Sequence, residues 1–247
     1  MCSIETQCTY VYPIVPSWSN LRKMLDCKPT KAMGQDLTKT DLREISDRLT
    51  EYVAGYTAFL SWAKGEVELD CPEEYEDLPW RIVFLLFAGR GRVEVYRRVL
   101  EEHRHQVEPY TLQTLRTTDS EVEEWREETY DEVADMLDQA FPYLLQTYRE
   151  NYGGKGKKQL GWDYDDFLEE RDLLEFLLIG LEDHFPTTDL ATALFEHDCR
   201  VRERIAELGL ENYEDQFFPG RISWYPARFW WHHRPEERIP HPDSLEP

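Results

Sequence analysis

Positive charge is what this chain most lacks. Fifty Asp and Glu stand against 28 Lys and Arg, for a formal charge of −22 over 247 residues. That balance argues against a nucleic-acid backbone or an anionic bilayer as the main partner, because both bind through clustered cations that displace counterions. The five cysteines, Cys2, Cys8, Cys27, Cys71 and Cys199, contain no CxxC pair, which excludes a zinc knuckle and a thioredoxin-type motif. Apolar runs are short. The stretches 82–88 and 176–179 fall far below the span of a bilayer. The opening MCSIETQCTYVYPIV lacks a basic stretch followed by a long apolar run, so no signal peptide is expected and a reducing cytoplasm is the expected compartment.

Catalytic and phosphate-binding signatures are scarce too. There is no GxSxG elbow, and the GGKGKK stretch at 153–158 lacks the spacing of a phosphate loop and follows a helical pattern instead of a strand. No motif calls for a cofactor or a metal.

Aromatic residues are abundant. They make up 13% of the chain, with 8 Trp, and this sets it apart from disordered acidic sequences, which hold too little apolar surface to offset ordering entropy. The periodicity predicts an all-α fold, a bundle-like array of six to eight helices with an extended N-terminal arm over 1–18 and an irregular tail. A short helix is expected over 20–25. Leu42, Ile45, Leu49, Val53, Tyr56, Leu60 and Ala63 recur at spacings of three and four, predicting a helix over 40–64 that Gly65 stops. The run 80–88 reads as a buried helix punctuated by Gly89 and Gly91, with helical spacing resuming over 93–105.

Ser120 and Glu123 have the form of a capping box and predict the start of the next helix, with Pro142 kinking it. Further helices are expected over 164–184 and 188–208, separated by Phe185 and Pro186, the second capped by Thr187 or Thr188 and closed by Gly209. A soft boundary at the glycine- and lysine-rich stretch divides the chain into a helical region 1–151, a helical pair 152–216 packed on it or forming one domain with it, and a tail 217–247.

Three acidic or basic spacings invite a catalytic reading. Asp165, Asp166 and Glu169, with Asp189 and Glu196, resemble the paired magnesium motifs of class I terpene synthases. The two motifs lie at the starts of adjacent antiparallel helices, whose length of roughly 30 Å keeps them apart. Acids in a first helical turn also suit the helix dipole without any metal. Glu102 and His105 form one ExxH, the spacing of di-iron bundles, but no second ExxH accompanies it. Arg98 and His103 match the RxxxxH spacing of the HEPN ribonucleases, although Glu101 and Glu102 beside them would repel RNA. Arg98, Glu102, His103 and His105 are therefore the candidate catalytic residues. An enzyme assembled from dispersed groups would draw on Glu102, His105, Asp165, Asp166, Glu175, His184 and His197.

The tail is the compositional outlier. Arg221, Trp224, Tyr225, Arg228, Phe229, Trp230 and Trp231 concentrate there, and from Arg221 to Arg238 four arginines outweigh Glu236 and Glu237, leaving +2. Trp, Tyr and Arg are enriched at interface hot spots, so these seven residues are the candidate binding set. The competing expectation is that the tail wraps back, its aromatics filling the core and its arginines pairing with the acidic body. His232 and His233 have no further ligands nearby in sequence to suggest a metal. The functional expectation is an acidic protein-binding module of immunity, inhibitor or adaptor type that masks a basic protein partner. The alternative is a helical metal- or phosphate-dependent enzyme.

Overall fold

The computed structural model describes residues 37–67, 80–152, 164–182, 184–207, 224–226 and 228–232. Among them the fold is all-α, with five α-helices: α1 (Lys39–Ala63), α2 (Trp80–Glu102), α3 (Pro109–Tyr152), α4 (Tyr164–Leu181) and α5 (Thr188–Glu207). A 3-10 turn, Trp230–His232, follows. The expected arm over 1–18, the short helix over 20–25 and the stretch 153–158 lie outside the described residues.

Thr38 caps α1. Its hydroxyl accepts from the Asp41 amide while the Asp41 carboxylate accepts from the Thr38 amide at 2.8 Å, which satisfies two amides that helix geometry leaves open. The predicted stripe faces inward, with Leu49, Val53, Tyr56 and Leu60 all buried. Gly65 ends the element at φ 71°, a left-handed conformation that glycine adopts without a Cβ penalty.

α2 runs back along α1. Tyr52 meets Tyr96 edge-on at 4.8 Å, and further along the pair Arg81 lies over the Trp62 ring. α3 then returns parallel to α1, as two hydroxyl pairs one heptad apart on both helices show: Thr50–Thr111 at 2.9 Å and Thr57–Thr118 at 2.8 Å. The Tyr56 hydroxyl donates to Asp119 at 3.1 Å, and Lys64 pairs with Glu121.

The glycines at 89 and 91 do not punctuate α2, which continues through them. Gly91 lies against the backbone of α4, where a Cβ would stand 1.8 Å from the Phe176 carbonyl oxygen. Gly180 does the reverse on α4, its Cβ position 1.9 Å from the Phe87 oxygen. Two helices meet backbone to backbone because neither carries a side chain at the crossing. α4 is apolar nearly all round from Leu174 to Leu181 and is buried accordingly.

Two local expectations are corrected. Ser120 and Glu123 do not start a helix, because α3 begins at Pro109 and carries them in its interior, where Glu123 pairs with Arg126 and lies 3.1 Å from His184. The non-helical angles in α3 are at Thr129 (φ −118°, ψ 16°), well before Pro142. The Thr129 hydroxyl donates to the Trp125 carbonyl at 2.8 Å, a bond that diverts the backbone acceptor and bends a helix. α4 and α5 follow, joined through Phe185 and Pro186, and the Arg171–Asp198 bond ties one to the other.

Candidate functional site

Two features stand out from the packing. The first is the outer face of α3. Glu124, Glu127, Glu128, Asp131, Glu132, Asp135 and Asp138 are all exposed, and no Lys or Arg occurs from 127 to 148. The nearest cation, Arg126, is held by Glu123 at 2.8 Å. At 1.5 Å per residue this stripe is roughly 21 Å long. Four like-charged pairs sit at i,i+4 (Glu124–Glu128, Glu127–Asp131, Glu128–Glu132, Asp131–Asp135), and each costs the helix about 0.2–0.5 kcal/mol.

Aromatic side chains accompany this charge. The large exposed hydrophobics among the described residues are Tyr110, Tyr130, Tyr143 and Phe195, and the first three belong to α3. Tyr130 and Tyr143 are not loose. Tyr130 stacks on Phe185 at 5.0 Å, and Tyr143 leans on Trp80 at 5.4 Å, so each ring is anchored from beneath while 39% and 49% of the residue reaches solvent.

The second feature is a buried ionic network between the middles of α4 and α5. The Arg171 guanidinium, 5% exposed, bonds Asp198 on α5 through two nitrogens at 2.9–3.2 Å and pairs with Glu175 at 2.9 Å. The Tyr148 hydroxyl donates to Asp198 at 3.1 Å. Burial alone would lower the affinity of Arg171 for its proton, but the facing Asp198 and Glu175 carboxylates outweigh it and hold the guanidinium charged. The Trp231 ring covers the guanidinium at 4.1 Å.

The described part of the C-terminal segment docks here. The Trp231 indole donates to Asp172 at 2.8 Å, and His232 Nε2 lies 2.7 Å from the same oxygen. Arg228 bonds Glu175 and reaches Glu182 at 2.9 Å. Tyr225 and Phe229 pack on Phe176, and Trp224 meets Tyr96 edge-on at 4.9 Å. Of the candidate binding set, Tyr225, Phe229 and Trp231 are buried inside the molecule, Trp224 is half-buried and Arg228 lies at the rim. Trp230 begins the 3-10 turn, and Arg221 lies outside the described residues.

The candidate catalytic residues are on the surface at the α2–α3 corner. Arg98 pairs with Glu94 on its own helix, Glu102 and His103 are exposed, and His105 is half-buried. The dispersed set is not gathered. Glu175 is buried in the Arg171 network while Glu102 is in solvent. His184 sits in the α4–α5 turn, 3.1 Å from Glu123, and His197 packs edge-on against Tyr148 at 4.5 Å. Asp165 and Asp166 occupy the first turn of α4. Among the described residues, no group of three or more His, Cys, Asp or Glu side chains is placed to hold a metal ion, and no helix is long and apolar enough to cross a membrane.

Sequence reasoning missed Arg171, Asp172, Asp198, Tyr148 and His232. The available signal was positional: Arg171 and Glu175 stand one turn apart and put opposite charges on one face of a helix whose second half is apolar. A further polar seam joins α1, α2 and α3, where Asp119 accepts from Tyr56 and lies 3.8 Å from Arg90. Burial raises the Asp119 carboxyl above its ordinary value, against the opposing pull of Arg90.

Comparison with protein-family models, with curated proteins and with solved structures finds no match for this chain.

Proposed function

We propose that this protein is a non-catalytic binding module whose α3 face masks a basic surface of another protein, in the manner of an immunity, inhibitor or adaptor protein. The observation that carries this reading is the acidic stripe from Glu127 to Asp138, within which no Lys or Arg occurs, with Tyr130 and Tyr143 on the same helix. Solubility requires net charge but not its concentration on one helix at the expense of four repulsive pairs. A basic partner relieves that repulsion and gains steering from the field. The two tyrosines supply rigid, amphipathic area with little rotamer entropy to lose, which is the usual anchor chemistry of an interface.

The experiment is a charge reversal in the full chain. Asp131→Lys, Asp135→Lys and Asp138→Lys are combined, and partner recovery from native cells is compared by quantitative co-purification. A control reverses Glu44, Asp47 and Glu51, the exposed carboxylates of α1. The expected result is a partner with a basic surface whose recovery falls at least tenfold with the α3 reversal, equivalent to about 1.4 kcal/mol, and holds with the α1 reversal. Equal recovery with both reversals sinks the proposal.

A further inference from the structure

α3 breaks at Thr129 without a Gly or Pro to break it. Neither occurs from 121 to 135, where Glu, a good helix former, is the commonest residue. Thr129 nonetheless leaves helical angles, and its hydroxyl takes the Trp125 carbonyl. The two halves of the helix follow different partners. Before the break, Thr111, Thr118, Asp119 and Glu121 bond to α1. After it, Tyr143 leans on Trp80 of α2 and Tyr148 bonds to Asp198 of α5. The turn between α4 and α5 straddles the dividing point. His184 Nδ1 lies 3.1 Å from the Glu123 carboxylate, ahead of the break, and Phe185 stacks on Tyr130, just past it, at 5.0 Å with the ring planes 13° apart. The turn is itself fixed. Both its amides donate to the Leu181 carbonyl, at 2.9 and 3.0 Å, and both its rings pack against the buried Phe87.

We infer that this turn is the clamp that sets the shape of the acidic face, with Phe185 the positioning residue for Tyr130. The inference deepens the α3 reading and rests on it. Glu124, Glu127 and Glu128 precede the break, while Asp131, Glu132, Asp135 and Asp138 follow it. The angle at Thr129 therefore fixes how the two groups of carboxylates stand to one another, and a partner that engages both reads that angle. The stack acts on Tyr130 in the same way. A ring already held against Phe185 has little rotamer freedom left to lose, so binding need not immobilise it. Phe185 is buried beneath Tyr130 and carries no charge, so it acts on the face only through the position of α3.

The test replaces Phe185 by Leu in the full chain, which keeps apolar volume and removes the stack; Phe185→Met takes its place if that variant does not fold. Leu49→Val, a loss of volume in the α1 core, controls for general destabilisation. Hydrogen exchange followed by mass spectrometry is the first readout. Phe185→Leu is expected to speed exchange of the 126–134 amides at least about threefold while those of 111–122 hold, a local pattern that Leu49→Val does not produce. The second readout is recovery of the protein that the wild-type chain captures and the α3 charge reversal loses. It is expected to fall about three- to tenfold with Phe185→Leu, the cost of immobilising one large side chain read as affinity, and to hold with Leu49→Val. Unchanged exchange at 126–134 overturns the inference, as does recovery that holds with Phe185→Leu while the α3 reversal still lowers it. Equal losses with Phe185→Leu and Leu49→Val overturn it too, since recovery then follows stability alone. If no captured protein responds to the α3 reversal, the binding reading itself fails and this inference falls with it.

Discussion

Replacing Gly91 by alanine adds one methyl group at the point where α2 and α4 touch. That Cβ would lie 1.8 Å from the Phe176 carbonyl oxygen and 2.9 Å from the Gly180 amide nitrogen. An unstrained carbon–oxygen approach is about 3.3 Å, so the helices must part by roughly 1.5 Å. The obstructing atoms are backbone and cannot swing aside, which puts the cost at the top of the overpacking range, about 3 kcal/mol. Alanine returns about 0.5–1 kcal/mol of helix propensity, leaving a net loss of about 2–2.5 kcal/mol. Gly55 supplies the control, being in α1 with nothing within 4 Å of its Cβ position, so Gly55→Ala is expected to stabilise by about 0.5–1 kcal/mol. Urea unfolding followed by far-UV circular dichroism measures both, and a slope of about 2–3 kcal/mol per M makes the Gly91→Ala midpoint about 1 M lower than wild type. Gly180→Ala should cost as much, and the double variant less than the sum, since one displacement relieves both clashes. If Gly91→Ala moves the midpoint upward as Gly55→Ala does, the backbone crossing is wrong.

Three further outcomes follow from the same geometry. Arg171→Met leaves Glu175 and Asp198 buried without their shared cation and is expected to cost about 3–5 kcal/mol, read as a loss of urea midpoint; a change below about 1 kcal/mol would show that the network is solvated. Asp119 binds its proton more tightly folded than unfolded, so its contribution to stability is greatest at acid pH and is lost as pH rises through the window between the ordinary and the raised value. Asp119→Asn keeps an acceptor for Tyr56 and should raise the melting temperature at neutral pH, with the gain shrinking toward about pH 4; a gain that grows on acidification contradicts this sign. The surface residues Glu102 and His103 should tolerate replacement by Gln within about 0.5 kcal/mol, and partner recovery should not change.

The helices were largely legible because their signals are local. Thr38 and Asp41 cap α1 within one turn, and the stripe from Leu42 to Leu60 repeats at helical spacing. The errors came where a local signal has a long-range cause. Gly91 reads as a breaker until Gly180, distant in sequence, is placed against it. Ser120 and Glu123 have the form of a cap but sit inside a helix that had already begun at Pro109. The acidic stripe was visible as composition, and only the helix face turns it into a surface. Of the Arg171 network, only the shared helix face of Arg171 and Glu175 was legible. Its members come from α3, α4, α5 and the C-terminal segment, and nothing in the sequence pairs Arg171 with Asp198 or Trp231. The aromatic tail left two readings open, and its described part is docked with Phe229 and Trp231 in the core.

The central claim, that the α3 face is where a basic partner binds, is tested most directly by site-specific photo-cross-linking in native cells. A photoreactive residue is placed at position 135 on α3 and, separately, at position 44 on α1, both exposed. The account predicts an adduct from position 135 whose partner peptide is rich in Lys and Arg, lost when Asp131 and Asp138 are reversed to Lys, and no such adduct from position 44. Adducts of equal yield from both positions, or an adduct at 135 indifferent to the reversal, would contradict it.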